Sequence, residues 1–352
     1  MAAYINGIGL ISPQHTTDPA LFLPDVMEYT ADFLQVINPN YKEYIHPLAA
    51  RRMSKLIKMG ITSAKIAMAD AGCQMPDAII TGTGLGSVED TEKILTSMNA
   101  GEQLMNPTPF IQSTYNTISS QIAITLQCHN YNTTYVHRSF SFESALQDAL
   151  LQCEEKVIKT ALVGGIDEMT DNHLLITRRA GHWKMQPVNN LKLLSYQTPG
   201  ALAGEGSAFF LLRDRHSPGD YGVLRDVKTF FRPKNLRITE QEISTFLSVN
   251  NLTVSQLDAV ILGYNGDILF DTVYDQLGSG IFSNQQQIWY KHLCGEYYTS
   301  TGFAVWLAAN ILKHQYIPAA VKFNNQPVNP LRQILLYNQY RNTNHSLILI
   351  SR

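Results

Sequence analysis

The chain has no apolar run of about 20 residues, the length that a membrane-spanning helix requires. Cysteine is scarce. Cys73, Cys128, Cys153 and Cys294 stand alone without metal-ligand spacing, which argues against a zinc site or a disulfide framework and for buried or partly buried free thiols. The ten histidines form no H-E-x-x-H or comparable set, so no metal is expected. Excess charge of one sign is also missing. With 27 basic and 29 acidic residues the net charge is -2, which gives no electrostatic case for nucleic acid or an acidic membrane. Met1-Ala-Ala-Tyr-Ile-Asn-Gly7 has neither a basic start nor a long apolar stretch, so a cytoplasmic protein without a signal peptide is the expectation. A soluble globular class is what remains. Its 352 residues, 45% hydrophobic and 16% charged, suffice for two domains or one large duplicated one.

Apolar runs that end in glycine alternate with helical periodicity. Tyr4–Ser12 reads as a strand closing at Pro13, and Arg51 through Gly72 has apolar residues at helical spacing with a glycine stop. Asp77–Gly84 is a short buried strand running into a glycine turn. Strands separated by helices predict an α/β fold with a mostly parallel sheet. Two internal echoes suggest duplication. Asp77-Ala-Ile-Ile-Thr-Gly82 recurs as Asp258-Ala-Val-Ile-Leu-Gly263, and Ser207–Arg213 resembles Ser346–Arg352. The halves would be residues 1–214 and 215–352, divided near Arg215-His-Ser-Pro-Gly219.

The glycine clusters bind no cofactor on this reading. Gly82-Thr-Gly84-Leu-Gly86 lacks G-x-G-x-x-G spacing, and Gly204-Glu-Gly206 has no following Lys-Ser/Thr. His137 and Ser139 lie two apart in a predicted strand over 133–139 and would share its face. Strand neighbours rarely reach nucleophile–base geometry, and Ser139 lacks the G-x-S-x-G elbow, so a stand-alone hydrolase is disfavoured.

Lys291-His-Leu-Cys-Gly-Glu296, followed by Gly302-Phe-Ala304, resembles the Lys-Ser-x-x-Gly-His loop of the β-ketoacyl synthase family, with Glu296 at the histidine. Gly7-Ile-Gly9 through Pro13 is similar to that family's opening strand, and Arg51-Arg-Met53 with Ala67–Gly72 to its first long helix. Asn106–Phe110 and Ser119–Ala123 resemble the segment before the nucleophile. Ala161-Leu-Val-Gly-Gly165-Ile-Asp-Glu168 and Gly204-Glu-Gly206-Ser-Ala-Phe-Phe210 are similar to two further signatures. The resemblance spans nearly the whole chain and implies a thiolase-like five-layered α-β-α-β-α fold of two similar halves.

It also implies a site. Counting back from the paired glycines by the family's spacing places Ser139 at the catalytic cysteine, on a strand-to-helix turn, with Phe140 after it. A hydroxyl needs an adjacent base to act as a nucleophile. The first family histidine falls on Gly263 when Asp271 is the anchor, or on Asn265 when Gly266 is. The second is Glu296, whose carboxylate would repel a developing enolate. Lys291 is kept and is expected to form an ion pair with Glu296 in the cavity that Ser139 lines. Tyr340 takes the place of the gating phenylalanine, and Arg341-Asn-Thr-Asn344 that of the glycine-rich terminal turn, so the gate is expected to be fixed or closed. Phe140 and Phe142 would block the protomer's own tunnel or simply pack the core.

The function implied is that of a chain-length-factor-like subunit, itself inactive in condensation. It would work in acyl-carrier-protein-linked fatty-acid, polyene or polyketide synthesis. Its partners would be an active ketosynthase (or a second copy of itself) and the acyl carrier protein, with pairing through the strand Asn132–Arg138. Two alternatives stay open: acyl transfer, priming or thioester hydrolysis at Ser139, and a non-catalytic interaction protein.

Overall fold

The computed structural model describes residues 2–101, 106–327 and 330–352. Ten strands form one continuous sheet: β1 (Ala3–Ile11), β2 (Ala78–Gly82), β3 (Tyr131–Tyr135), β4 (Thr160–Asp167), β5 (Gly206–Arg213), β6 (Gly222–Phe231), β7 (Ala259–Leu262), β8 (Gln286–Trp289), β9 (Gln333–Tyr340) and β10 (Asn344–Ser351). The order across the sheet is β8-β7-β9-β10-β6-β1-β5-β4-β2-β3. Read outward from the centre, the first half runs β1-β5-β4-β2-β3 and the second β6-β10-β9-β7-β8, the same order. Strand directions match too. The inner two pairings of each half are antiparallel and the outer two parallel. The halves join where β1 meets β6 antiparallel, Ala3 opposite Leu224 and Ile5 opposite Gly222.

The sequence echoes have a physical basis in this frame. Asp77 caps the start of β4 by accepting from the Lys159 and Thr160 amides at 2.9 and 3.0 Å. Asp258 does the same for Arg332 and Gln333 at the start of β9, both at 2.7 Å. Ser207–Arg213 and Ser346–Arg352 fall on β5 and β10, the fifth strand of each half.

Helices cover the sheet in matching places. Helix α1 (Lys55–Asp70) and α5 (Leu236–Val249) follow the first strand of each half, and α3 (Ser141–Glu154) and α7 (Thr301–His314) follow the third. Helix α1 starts after Ser54, so Arg51–Met53 lie outside it, beyond the start expected from periodicity. It rests directly on β1: a Cβ on Gly7 would lie 2.2 Å from the Ala67 oxygen, and one on Gly9 2.1 Å from that of Ser63. Helix α7 is buried on every side over Thr301–Leu312, so it needs no polar face. One apolar cluster draws on both halves, including Leu10, Phe142, Phe210, Ile261, Trp306 and Ile348. Full burial of a side chain of this size is worth roughly 1.5–3 kcal/mol. Cys128, Cys153 and Cys294 are buried and Cys73 half-buried, all as free thiols.

Candidate functional site

In an open α/β sheet the loops beyond the carboxyl ends of parallel strands converge on one crevice. Ser139 follows β3, Lys291–Glu296 follows β8, Asn265–Asp271 follows β7, and Asp167 and Tyr340 end β4 and β9. Contacts bring groups from both halves together: Asp167 accepts from Thr299, Glu296 accepts from Lys291 and Asn265, and Asp167 and Tyr340 line one crevice.

Strand β3 stops at Tyr135, short of the strand expected over 133–139, so His137 and Ser139 do not share a strand face. Arg138 takes a left-handed φ of 51° and turns the chain into a short 3-10 segment, Arg138–Phe140. Ser141 fixes the turn, accepting from the His137 amide at 2.8 Å and donating to the Arg138 carbonyl at 2.6 Å. Ser139 thus stands at the amino terminus of α3, where the helix dipole favours negative charge. Its Oγ is buried and has no hydrogen-bond partner.

Helix α6 (Lys291–Cys294) ends at Gly295, φ 74°, a conformation glycine adopts without steric cost. There the chain crosses Leu202–Gly204 in direct backbone contact: a Cβ on Gly204 would lie 2.1 Å from the Cys294 oxygen. The Glu296 amide donates to Leu202 O at 2.7 Å, and the Gly204 amide to Glu296 O at 3.1 Å. Two motifs far apart in sequence therefore hold each other, and Glu296 is aimed inward.

The Glu296 carboxylate accepts three hydrogen bonds, from Lys291 Nζ at 2.5 Å, Asn265 Nδ2 at 2.8 Å and Ser300 Oγ at 3.2 Å. Lys291 is fully buried and Glu296 nearly so. Of the two alternatives for the first histidine position, it is Asn265 and not Gly263 that meets Glu296. A Cβ on Gly263 would lie 2.3 Å from Asn338 Oδ1 and 2.6 Å from the Tyr274 hydroxyl, leaving no space for any side chain. Asp271 accepts from the Asn265 and Gly266 amides at 3.2 and 2.7 Å and fixes Asn265 from behind.

Several further carboxyl groups lie in this interior, with burial as the leading cause of their shifts. Burial pushes Asp271 up to about 7 against the Asn265 and Gly266 amides and nearby Lys291. Asp167 is pushed up to about 6 by burial, opposed by its donors. These are the Gly84 amide at 2.7 Å, the Thr299 amide and hydroxyl at 2.9 Å each, and the Thr83 hydroxyl at 3.2 Å. The Gly82–Gly86 turn is therefore occupied with holding Asp167. Glu143, which has no counterpart in any motif, is pushed up to about 7 by burial in the first turn of α3. Its only sequence signal is a charge on a helix face otherwise built from Phe142, Ala145, Leu146 and Ala149. Ser139 hydrogen-bonds to neither Lys291 nor Glu296. Glu143, in the first turn of α3, is close enough to Lys291 for the cation to hold its carboxyl down.

Tyr340 and Asp167 line one narrow, nearly filled crevice of about 10 Å³ with Tyr298, Trp183, His173 and Glu168. The Tyr340 hydroxyl meets His182 Nδ1 at 3.3 Å, and its ring lies 5.1 Å from that of Tyr298. Arg341 and Asn342 both take φ of 51°, so the turn keeps a glycine-like backbone without glycine. Arg341 donates to Gly181 O at 3.2 Å and lies 4.9 Å over the Phe270 ring, which pins the turn. Asn344 opens β10 opposite Tyr340. Phe142 is wholly enclosed, 5.9 Å from Phe210 and against Gly165, while Phe140 meets the His137 ring at 5.4 Å. Among the described residues no group of His, Cys, Asp and Glu is placed to hold a metal ion, and no helix is long and apolar enough to cross a membrane.

Two halves of like strand order, with a site to which both contribute, make a thiolase-like fold. Residues 30–217 match the model of the β-ketoacyl synthase N-terminal domain, and the chain belongs to the β-ketoacyl synthase family. No curated protein matches it in sequence. Among solved structures it is similar to the ishigamide ketosynthase/chain length factor, at 16% identity and TM-score 0.80, covering 100% of this chain and 99% of that one. A β-ketoacyl synthase from Burkholderia phymatum gives 13% identity and TM-score 0.77, with 99% of each chain covered. A ketosynthase (ApeO) in complex with its chain length factor (ApeC) from Xenorhabdus doucetiae gives 14% and 0.76, covering 100% of this chain and 98% of that one. At these identities the likeness is one of fold.

Proposed function

We propose that this chain is a condensation-inactive β-ketoacyl synthase-like subunit, paired with an active ketosynthase in acyl-carrier-protein-linked chain building. Its role would be that of a chain length factor, with repeats dividing at residues 214 and 215. One observation carries the reading. Condensation needs hydrogen-bond donors aimed at the enolate oxygen, and here Glu296 is instead an acceptor, to which Lys291, Asn265 and Ser300 each donate. Ser139, Asn265 and Glu296 stand for the family's Cys-His-His set. The pinned Tyr340 turn supports a closed protomer whose growing chain is housed by its partner.

The surface supports pairing. Strand β3 is an edge of the sheet, and an open groove beside it is lined by Tyr115, Ser119, Ile124 and Asn132–Thr134. Its Thr- and Tyr-rich sequence suits a pleated, half-buried surface, and an uncovered edge invites aggregation. On another face Arg51, Arg52 and Lys58 line a groove that offers positive charge to a phosphate-bearing carrier arm. The test mixes the chain with an active ketosynthase of the same biosynthetic cluster and measures mass by light scattering. A one-to-one complex that Thr133→Lys disrupts is expected, with no malonyl-thioester decarboxylation by the chain alone. Decarboxylation or condensation by the isolated chain at ordinary ketosynthase rates would refute the reading.

A further inference from the structure

The continuous sheet has two ends, and they are finished differently. At one end lies β3, and among the described residues no strand or bridge sits on its outer side. Strand β8 holds the matching place in the second half and closes the sheet at the other end. It pairs with β7 along its inner side. Its outer side is covered by a segment from later in the chain. After a short 3-10 turn over Ala319–Val321, Lys322 bridges Ile288 antiparallel. The Phe323 amide donates to Gln287 O at 2.9 Å, and Asn324 Oδ1 accepts from the Gln287 amide at 2.8 Å. Asn324 Nδ2 donates to Gln285 O at 3.0 Å. The Gln286 side chain locks the same segment: its Nε2 donates to Asn324 O at 2.7 Å, and its Oε1 accepts from the Gln326 amide at 3.1 Å. Phe323 is anchored in turn by Tyr264, whose ring stacks on it at 4.9 Å.

A side-chain amide carries an acceptor and donors as a peptide group does, and here Asn324 stands in for the backbone of a neighbouring strand. Unlike a strand, the segment bends at Phe323 and Asn324 and exposes Lys322. It therefore offers no second row of backbone groups to another chain. Covering loops and edge lysines are means by which sheets avoid pairing with their neighbours. A chain with two open edges can join head to tail without closing, whereas one with a single open edge pairs with a copy of itself and stops. We infer that residues 319–326 form an edge cap that restricts strand pairing to β3 and so limits self-assembly of this chain to one pair. The inference uses the pairing through β3 proposed above. The cap itself is built on β8 and is tested without a ketosynthase, so the two readings fail separately.

The test follows mass by light scattering over a concentration series, alongside hydrogen exchange at the Gln287 amide. Wild type is expected to stay at one or two copies throughout. Asn324→Ala should speed exchange at Gln287 by about tenfold or more. The double variant F323A/N324A, which also frees the bend from Tyr264, should grow past two copies as concentration rises. Adding Thr133→Lys to that variant obstructs β3 and should return the mass to two copies or fewer, with an unchanged circular dichroism spectrum showing that the fold survives. Wild type that grows past two copies overturns the inference, as does unchanged exchange at Gln287 in Asn324→Ala. A double variant that keeps the wild-type mass overturns it too. So does growth that persists with Thr133→Lys, because β3 would then have no part in the assembly.

Discussion

Replacing Lys291 by methionine removes the ammonium and keeps the side chain's length, which makes it the sharpest probe of this interior. Lys291 is fully buried and its Nζ lies 2.5 Å from Glu296 Oε2. In the variant Glu296 keeps only Asn265 and Ser300 as donors. Breaking one side of a buried ion pair costs about 3–5 kcal/mol. Those two surviving donors put the expected loss near about 3 kcal/mol. Glu296→Gln strands the ammonium and should cost a similar amount. The double variant K291M/E296Q has no buried charge at either position and keeps acceptors for Asn265 and Ser300, so it should recover to within about 1 kcal/mol of wild type. The coupling energy of the cycle is then about 5 kcal/mol, above the roughly 0.5–3 kcal/mol usual for contacting residues because each single variant strands a buried charge. Urea unfolding followed by circular dichroism measures each corner, provided the slope m stays constant. Additive single losses, or a Lys291→Met cost below about 1 kcal/mol, would refute the ion pair as the organiser of the loop.

Glu143 is raised from 4.5 to about 7 by burial, so the folded chain binds its proton more tightly than the unfolded chain. Its contribution is therefore complete below about pH 4.5 and declines by about 3 kcal/mol as pH rises through about 7. Glu143→Gln should flatten that part of the melting temperature against pH profile. Gly204→Ala sets a methyl group 2.1 Å from the Cys294 carbonyl oxygen, against backbone that cannot swing away. A loss of about 2 kcal/mol or more in a thermal melt is expected, and an unchanged melt would show that the two motifs are not in tight contact.

Much of this frame is legible before any coordinate is known, for local reasons. Asp77 and Asp258 begin matching strands because each caps the start of the neighbouring strand, and glycine follows each strand where the chain must turn. The Lys291–Glu296 contact follows from motif spacing alone. What stays hidden is set by distance in space. Counting offers Gly263 or Asn265 without choosing between them, and only the fold shows that it is Asn265 that meets Glu296. His137 and Ser139 alternate as a strand would, but a left-handed Arg138 ends that strand early, and no propensity marks arginine for that conformation. Arg341 and Asn342 likewise take a left-handed backbone that their residue types do not announce. Glu143 reads as an ordinary surface charge until α7 and β10 close over it.

The matching strand orders invite a description as two bodies, yet nothing about the interior respects that division. Helices α3 and α7 lie in one apolar cluster fed by both halves, and β1 pairs with β6 across the middle. Asp167 ends a strand of the first half and holds Thr299 of the second. Either half alone would present a wet core, with its central helix stripped on one side. A like order of strands thus does not make the halves independent. The molecule should melt in a single transition, and a chain cut between Arg213 and Gly222 should be soluble only when both pieces are made together.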